Sequence, residues 1–436
     1  MYLRSLTLKN VKRFRDLTLS FERPDGSPRL WTVVIGENGT GKTTLLQAIA
    51  MAAVGRDHTI QLVANASRFR SIGADESTVE IDGAFRHEYR VEADSMPTAL
   101  KQGVEIRYAL KLTRDDDYFQ GQTGFKFERS QFANSPSFPF RLNKDDRSIV
   151  AGYGVRRFLP PYERQFTLDN PLTQRLETLF DRGELIATKF NEILGKHGWG
   201  EDFLYLLMKS LSRTHDLLPG VVGLELNGVG QPFSAKSISE SHKAVMRHGN
   251  REVRVPATSL SQGYQAIIAW ITDLLGHAAL DAEKLVPPEE LRGLVLIDEL
   301  DLFLHPRWQV TLVKSLKALF PQVQFVTTTH SPLVLTGLEP DEIVRLVEDE
   351  GGNIVESPDK RHPALMTGSQ LYETFFGVDR DFPEELARKL RRYSYLSSDP
   401  YRSDDEDAEM RSIGELLKQR DLIPEWQPVD REPVSR

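Results

Sequence analysis

The stretch Thr32 to Thr44, TVVIGENGTGKTT, restricts the fold more than any other part of this 436-residue chain. An apolar run (Val33, Val34, Ile35) breaks into a glycine-rich loop, and Thr44 to Met51 then carries a helical pattern. The loop Gly36 to Thr43 fits the phosphate-binding pattern G-x-x-x-x-G-K-[ST] in full. Gly36, Gly39 and Gly41 can take conformations that a Cβ would forbid. The backbone N–H groups of the loop, through Glu37, Asn38 and Thr40 to Thr44, can therefore turn inward around a phosphate. Lys42 is suited to the β- and γ-phosphates and Thr43 to Mg²⁺, while the helix N-terminus adds its positive dipole end. The stretch predicts a strand–loop–helix unit that binds a nucleoside triphosphate.

Composition narrows the class. Hydrophobic content of 40% and charged content of 27% suit a soluble globular protein of two or three structural units. No apolar run approaches the length of a membrane span, and MYLRSLTLKN alternates like a strand rather than a signal peptide. Cysteine is absent, which excludes disulfides, cysteine nucleophiles and cysteine-ligated zinc and fits a cytoplasmic location. With 55 basic and 63 acidic residues the net charge is −8, which disfavours non-specific nucleic-acid binding by the whole surface but leaves room for a local basic groove.

Along the chain, Tyr2 to Leu8 and Leu17 to Phe21 read as a hairpin leading into the phosphate-loop strand. The turn between them is basic (Lys9, Lys12, Arg13, Arg15), either as a solvated turn or as a contact for phosphates. A polar linker, roughly Gly55 to Ser77, precedes short strands at Thr78 to Phe85, Glu88 to Ala93, Gly103 to Leu112 and Gly124 to Glu128. These would extend the sheet or form a β subdomain, and Ser130 to Asp146 suits an exposed loop. Ser148 to Phe158 begins as a buried strand and ends in Arg156 and Arg157, which face either the surface or a phosphate. Thr173 to Leu194 and Asp202 to Leu211 have helical periodicity, and Val221 to Leu226 and Glu252 to Val255 resemble strands around a basic stretch.

Leu294 to Pro306 reads LVLIDELDLFLHP. Four apolar residues form a strand buried on both faces, and the acidic pair follows at its C-terminal end, where α/β sheets place ligands. Asp298 would hold Mg²⁺ through its water shell, and Glu299 is suited to take a proton from the attacking water. Gln324 to Pro332, QFVTTTHSP, gives another buried strand ending in His330, placed to follow the charge of a γ-phosphate. Ser259 to Gln265, SLSQGYQ, opens an apolar helix from Ala266 to Leu275. Its hydroxyl, glycine and helix N-terminus make a second phosphate-binding end in a chain that already has one, which suits capping the nucleotide of a neighbouring copy. After a closing hairpin (Ile343 to Val347, Asn353 to Val355), the chain from Ser369 onward reads as charged helices, with Pro383 opening one of them and a tail after Pro424.

With GENGTGKT, LSQGY, LVLIDE, ELDLFLHP and TTTHSP in this order, the sequence resembles the ABC-type ATPases, and within them the soluble RecF-like, SMC-like and OLD-like branch. It is most similar to the stand-alone prokaryotic ATPases of anti-phage defence, of the Septu and retron-associated kind. The resemblance implies an α/β P-loop fold: an ABC-type head with an inserted β/helical lobe and a C-terminal helical appendage. Expected segments are 1–77 (hairpin, phosphate loop and first helix), 78–158 (β-rich part of the head), 159–250 (helical lobe and insert), 251–355 (second part of the head) and 356–436 (appendage). It also implies ATP and Mg²⁺ as ligands, nucleic acid as a further partner, and a head-to-tail dimer or higher homo-oligomer in which Ser261 and Gly263 of one chain contact the γ-phosphate held by Lys42 of the other. A separate effector protein such as a nuclease would complete the system, with no membrane partner. The rival expectation is a RecF-like ATPase that binds DNA itself. The glutamine that family members use beside the metal has two candidates, Gln61 and Gln165, and neither is assigned.

Overall fold

Alternating apolar and polar residues at the N-terminus form β1 (Tyr2–Val11) and β2 (Phe14–Ser20), an antiparallel pair joined at Lys12 and Arg13. The structure is a computed structural model that describes residues 2–63, 65–85, 104–113, 120–125, 148–157, 170–181, 198–213, 217–226, 242–248, 251–256, 259–377 and 384–419. The fully buried β3 (Trp31–Gly36) follows, then α1 (Lys42–Val54) and α2 (Arg56–Leu62). Next come β4 (Glu76–Phe85), β5 (Val104–Thr113), β6 (Gln120–Phe125), β7 (Ser148–Tyr153), α3 (Pro171–Glu177) and α4 (Gly200–Arg213). A small meander, β8 (Val221–Leu226), β9 (His242–His248) and β10 (Arg251–Pro256), precedes the long α5 (Gln262–Ala282). Then β11 (Arg292–Ile297), α6 (Pro306–Leu319), β12 (Val323–Thr328), α7 (Pro332–Leu335), β13 (Ile343–Glu348) and β14 (Ile354–Glu356) complete the larger unit. The C-terminal helices are α8 (Gly368–Phe376), α9 (Glu384–Ser398) and α10 (Asp404–Gln419).

Two sheets define the larger unit, residues 1–371. One is antiparallel, in the order β2-β1-β4-β5-β6; the other runs β14-β13-β3-β12-β11-β7 and is parallel except for β14. Every residue of α1 except Thr43 is buried, because this helix packs against strands of both sheets. Its composition explains that position: Leu45, Leu46, Ala48, Ile49, Ala50, Met51, Ala52 and Ala53 leave it no polar face, and a helix apolar all round belongs inside. Leu8 and Phe14 from one sheet, Leu296 and Val326 from the other, and Leu46 and Ile49 from the helix share one core. Buried Gln324 on β12 also ties the sheets together, accepting from Leu3 N at 2.6 Å and donating to the carbonyls of Leu3 at 2.9 Å and Arg29 at 3.0 Å.

Several expectations change here. The opening hairpin precedes the phosphate-loop strand in sequence but pairs with β4, in the other sheet. The strands from β4 to β6 extend that antiparallel sheet rather than the parallel one, and β6 lies a few residues earlier than expected. The polar linker contains α2, which buries Thr59 and Leu62 while Arg56, Asp57 and Gln61 keep it polar in sequence. The basic stretch before Glu252 contains a strand, β9, held between β8 and β10. The helix expected from Thr173 starts at Pro171 and passes into a tight turn at Thr178–Phe180. Expectations at Glu88 to Ala93, Ser130 to Asp146, Pro383, Gln165 and the tail after Pro424 lie outside the described residues.

The second unit, residues 372–436, has its own small core of Tyr393, Leu396, Met410, Ile413 and Leu417 between α9 and α10. Ser403 and Glu406 form a reciprocal cap at the start of α10: Ser403 N donates to the Glu406 carboxylate at 2.9 Å, and Glu406 N to the Ser403 hydroxyl at 3.3 Å. Among the described residues no helix is long and apolar enough to cross a membrane.

Because α1 joins the two sheets, truncating its core face should be felt by the whole larger unit. Ile49→Ala is expected to cost about 2–5 kcal/mol, read as a lower urea midpoint of a single cooperative transition for that unit.

Candidate functional site

Four neighbouring strands, β3, β12, β11 and β7, run parallel, so all their C-terminal ends reach one edge of the sheet. In α/β sheets that edge is where ligands bind. A cavity of about 400 Å³ opens there, with Lys42, Thr43, Asp298, Glu299, Thr328 and His330 in its wall. The phosphate loop forms one side. Gly39 (φ 84°) and Gly41 (φ 89°) are left-handed, a conformation favouring glycine. A Cβ on Gly41 would also stand 2.7 Å from the Phe14 ring. Thr40 Oγ1 closes the loop onto the Glu37 carbonyl at 2.9 Å. Lys42 Nζ lies within the loop's curve, donating to the carbonyls of Gly36 at 2.8 Å and Glu37 at 3.0 Å. Burial pulls the Lys42 ammonium below its ordinary pKa, and the carboxylates of Asp298 and Glu299 oppose that shift.

Asp298 joins three loops. Thr43 Oγ1 donates to one of its carboxylate oxygens at 2.7 Å, and Thr328 Oγ1 donates to the other at 2.6 Å. The same Thr328 oxygen accepts from Glu299 N at 2.7 Å. Glu299 is half-buried and left-handed (φ 49°), a conformation costing about 1–3 kcal/mol that persists where its surroundings over-determine it. Here they do. Asp298 N donates to Tyr153 O, Leu300 N donates to Thr328 O, and Arg157 donates to the Glu299 carbonyl.

His330 is exposed at the end of β12 and faces the same cavity. The flanking residues are fastened: Thr329 Oγ1 donates to Asp301, and Ser331 Oγ donates to Gln309 Oε1 at 2.6 Å.

The open question about the basic turn divides by residue. Lys12 and Arg13 line the cavity, whereas Lys9 and Arg15 are solvated. Arg13 donates to the Gly39 carbonyl at 3.0 Å and pairs with Glu348 at 2.6 Å. Arg156 is exposed, as a surface reading would have it, but Arg157 is only 2% exposed and faces neither solvent nor the cavity. Both expectations for Arg157, surface or phosphate, are therefore corrected.

Ser261 and Gly263 are not brought to this cavity. Ser261 is exposed at the N-terminus of the 21-residue α5, and its side chain makes no capping bond to its own helix. Gly263 is buried against the loop after β11, where a Cβ would meet Phe303 O at 2.6 Å. Tyr264 holds this end of α5 by a ring contact with Trp308 (centroids 4.2 Å apart) and by donating to Pro219 O at 2.5 Å. Gln61 accepts from Asn170 at 2.7 Å and does not line the cavity.

The donor set fits a magnesium nucleotide. Mg²⁺ keeps several waters and takes one or two protein oxygens beside the phosphates. The adjacent Thr43 hydroxyl and Asp298 carboxylate offer that, and no cluster of three or more His, Asp or Glu among the described residues suits another metal. The loop N–H groups, Lys42 and the N-terminus of α1 have the chemistry an anion-binding half would need.

Fold and site together define a P-loop nucleotide-binding head with the fold of an ABC-type ATPase. The chain belongs to the family described as "AAA domain, putative AbiEii toxin, Type IV TA system", whose model matches residues 31–336. It is 26% identical over 433 residues to the "Septu protein PtuA" of Bacillus mycoides, covering 97% of this chain and 51% of that protein, so it spans about half the length of that relative. It is 24% identical to the "Retron Vc95 probable ATPase" of Vibrio cholerae, over 78% of this chain and 72% of the relative. In fold it is similar to an SMC head solved bound to the C-winged helix domain of ScpA (TM-score 0.50, 17% identity), over 82% of this chain and 98% of that one.

Gly41→Ala should weaken MgATP binding at least about tenfold, since the added Cβ strains a left-handed position and displaces Phe14. Titration calorimetry reads the affinity, and melting of the unliganded protein reads any loss of fold.

Proposed function

We propose that this ATPase hydrolyses ATP in a head-to-tail sandwich of two copies and thereby controls a partner effector, such as a nuclease, in prokaryotic anti-phage defence. One observation carries the dimer. Ser261 presents a hydroxyl unused for capping at an exposed helix N-terminus, away from its own phosphate loop. Such an end is a ready site for an anion held by another molecule. Similarity to a Septu protein and to a retron probable ATPase supports the defence setting.

In this reading Lys42 and the N–H groups of Gly39 to Thr44 take the β- and γ-phosphates. Thr43 and Asp298 hold Mg²⁺, which when bound offsets the phosphate charge. Glu299 takes the proton of the attacking water, and His330 hydrogen-bonds the γ-phosphate. Ser261 and the backbone at Gly263 of the second copy close over that phosphate, exclude water and fix the geometry. Each copy supplies half of each site, so hydrolysis reports assembly.

Glu299→Gln retains the phosphate loop and removes the base, so it should trap the assembled state. Sedimentation velocity is expected to give a dimer with ATP and monomer with ADP. Monomer under both conditions, in a variant that binds ATP normally, contradicts the sandwich. Salt-sensitive, ATP-dependent DNA binding by the isolated chain would favour the RecF-like alternative instead.

A further inference from the structure

Arg157 is a fully buried arginine that neither the phosphate loop nor the sandwich accounts for. Its side chain comes from the turn after β7 and reaches across to the end of β11. Nη1 donates to Gly154 O at 2.9 Å and to Asp298 O at 2.6 Å, and Nη2 donates to Glu299 O. All three acceptors are main-chain carbonyls at strand ends, where a parallel sheet leaves such groups without ladder partners. The guanidinium is thus spent on backbone, with Asp298, Asp301 and Glu299 supplying nearby negative charge. Burial lowers it to about 10, so it stays charged at neutral pH.

We infer that Arg157 is a positioning residue for Glu299, holding the strained turn that aims the carboxylate. The inference rests on the ATPase reading of this cavity only for its kinetic consequence. Two features make the assignment specific. First, Glu299 is gripped on both peptide groups that flank its Cα: Thr328 Oγ1 accepts from its N–H and Arg157 donates to its carbonyl, across a left-handed residue. Releasing one grip lets the residue relax toward ordinary backbone angles and swings the carboxylate. Second, the arginine's own base is immovable. Gly154 packs so closely on the turn after α3 that a Cβ there would lie 2.0 Å from Thr178 O. The neighbouring Tyr153 is anchored through its hydroxyl to Asp273 on α5 at 3.2 Å. Arg157 is 2% exposed and does not line the cavity, so its bonds go to these carbonyls and not to a ligand bound there. Lysine cannot replace it in full, because one ammonium cannot span three carbonyls in the plane of a guanidinium fork.

The test compares Arg157→Gln and Arg157→Lys with wild type by two readouts. In the nucleotide-free protein, hydrogen–deuterium exchange should rise in the peptide covering 298–304 and stay unchanged in 36–54. In steady-state hydrolysis, kcat should fall about 10²-fold for Gln, as for a catalytic group displaced by about 1 Å, with KM for ATP within about twofold. Lys should be intermediate in both. A folded variant with wild-type exchange over 298–304, or with kcat and KM changed in equal proportion, overturns the inference. If Gln lowers the melting temperature so far that the chain unfolds, the same criteria apply to Lys. If wild type proves to bind ATP without hydrolysing it, the ATPase reading fails while the exchange result still decides the role of Arg157.

Discussion

The carboxylate of Asp298 is the contact on which the site depends. Its two oxygens hold Thr43 at the start of α1 and Thr328 at the end of β12, so one residue fixes the phosphate loop, the acidic strand and the strand carrying His330 relative to each other. Buried at 5% exposure, it can sustain this only because both oxygens are satisfied by hydroxyl donors. The larger architecture serves the same end. Five parallel strands bring their ends to one edge, and α1, buried along all its length but Thr43, locks the parallel sheet to the antiparallel one.

The site is complete on one side and open on the other. Lys42, Thr43, Asp298, Glu299 and His330 converge within one chain, while Ser261 stands elsewhere on a well-fastened helix end. Tyr264 against Trp308, and Gly263 against Phe303, join that helix end to the loop and helix that follow Glu299. A second copy bound at Ser261 would therefore press on the elements that hold the proposed base. On the proposed reading, this is how assembly and hydrolysis become one event.

What was legible in the sequence follows from how local each signal is. That the phosphate loop, the acidic pair and His330 lie at strand ends around one cavity was readable, because each follows an apolar run of the kind a buried parallel strand makes. Membership of a sheet was not readable for the opening hairpin, since alternation marks a strand and says nothing of its neighbour. The helix α2 was hidden by Arg56, Asp57 and Gln61 because only two of its residues, Thr59 and Leu62, are buried. Arg157 was hidden more deeply. Arginine in sequence suggests solvent or phosphate, and its use as a clamp on main-chain carbonyls depends on two strand ends that meet only in the folded sheet.

The central claim is that each functional site is built from two copies, and mixing two crippled chains tests it most directly. Lys42→Met removes the phosphate-binding lysine but keeps Ser261, and Ser261→Arg blocks the second half but keeps Lys42. Each alone should be inactive. An equal mixture should regain hydrolysis, to about a quarter of wild type if pairing is random and sites act independently, because half the dimers then carry one intact composite site. A mixture no more active than the two variants measured separately would contradict the account.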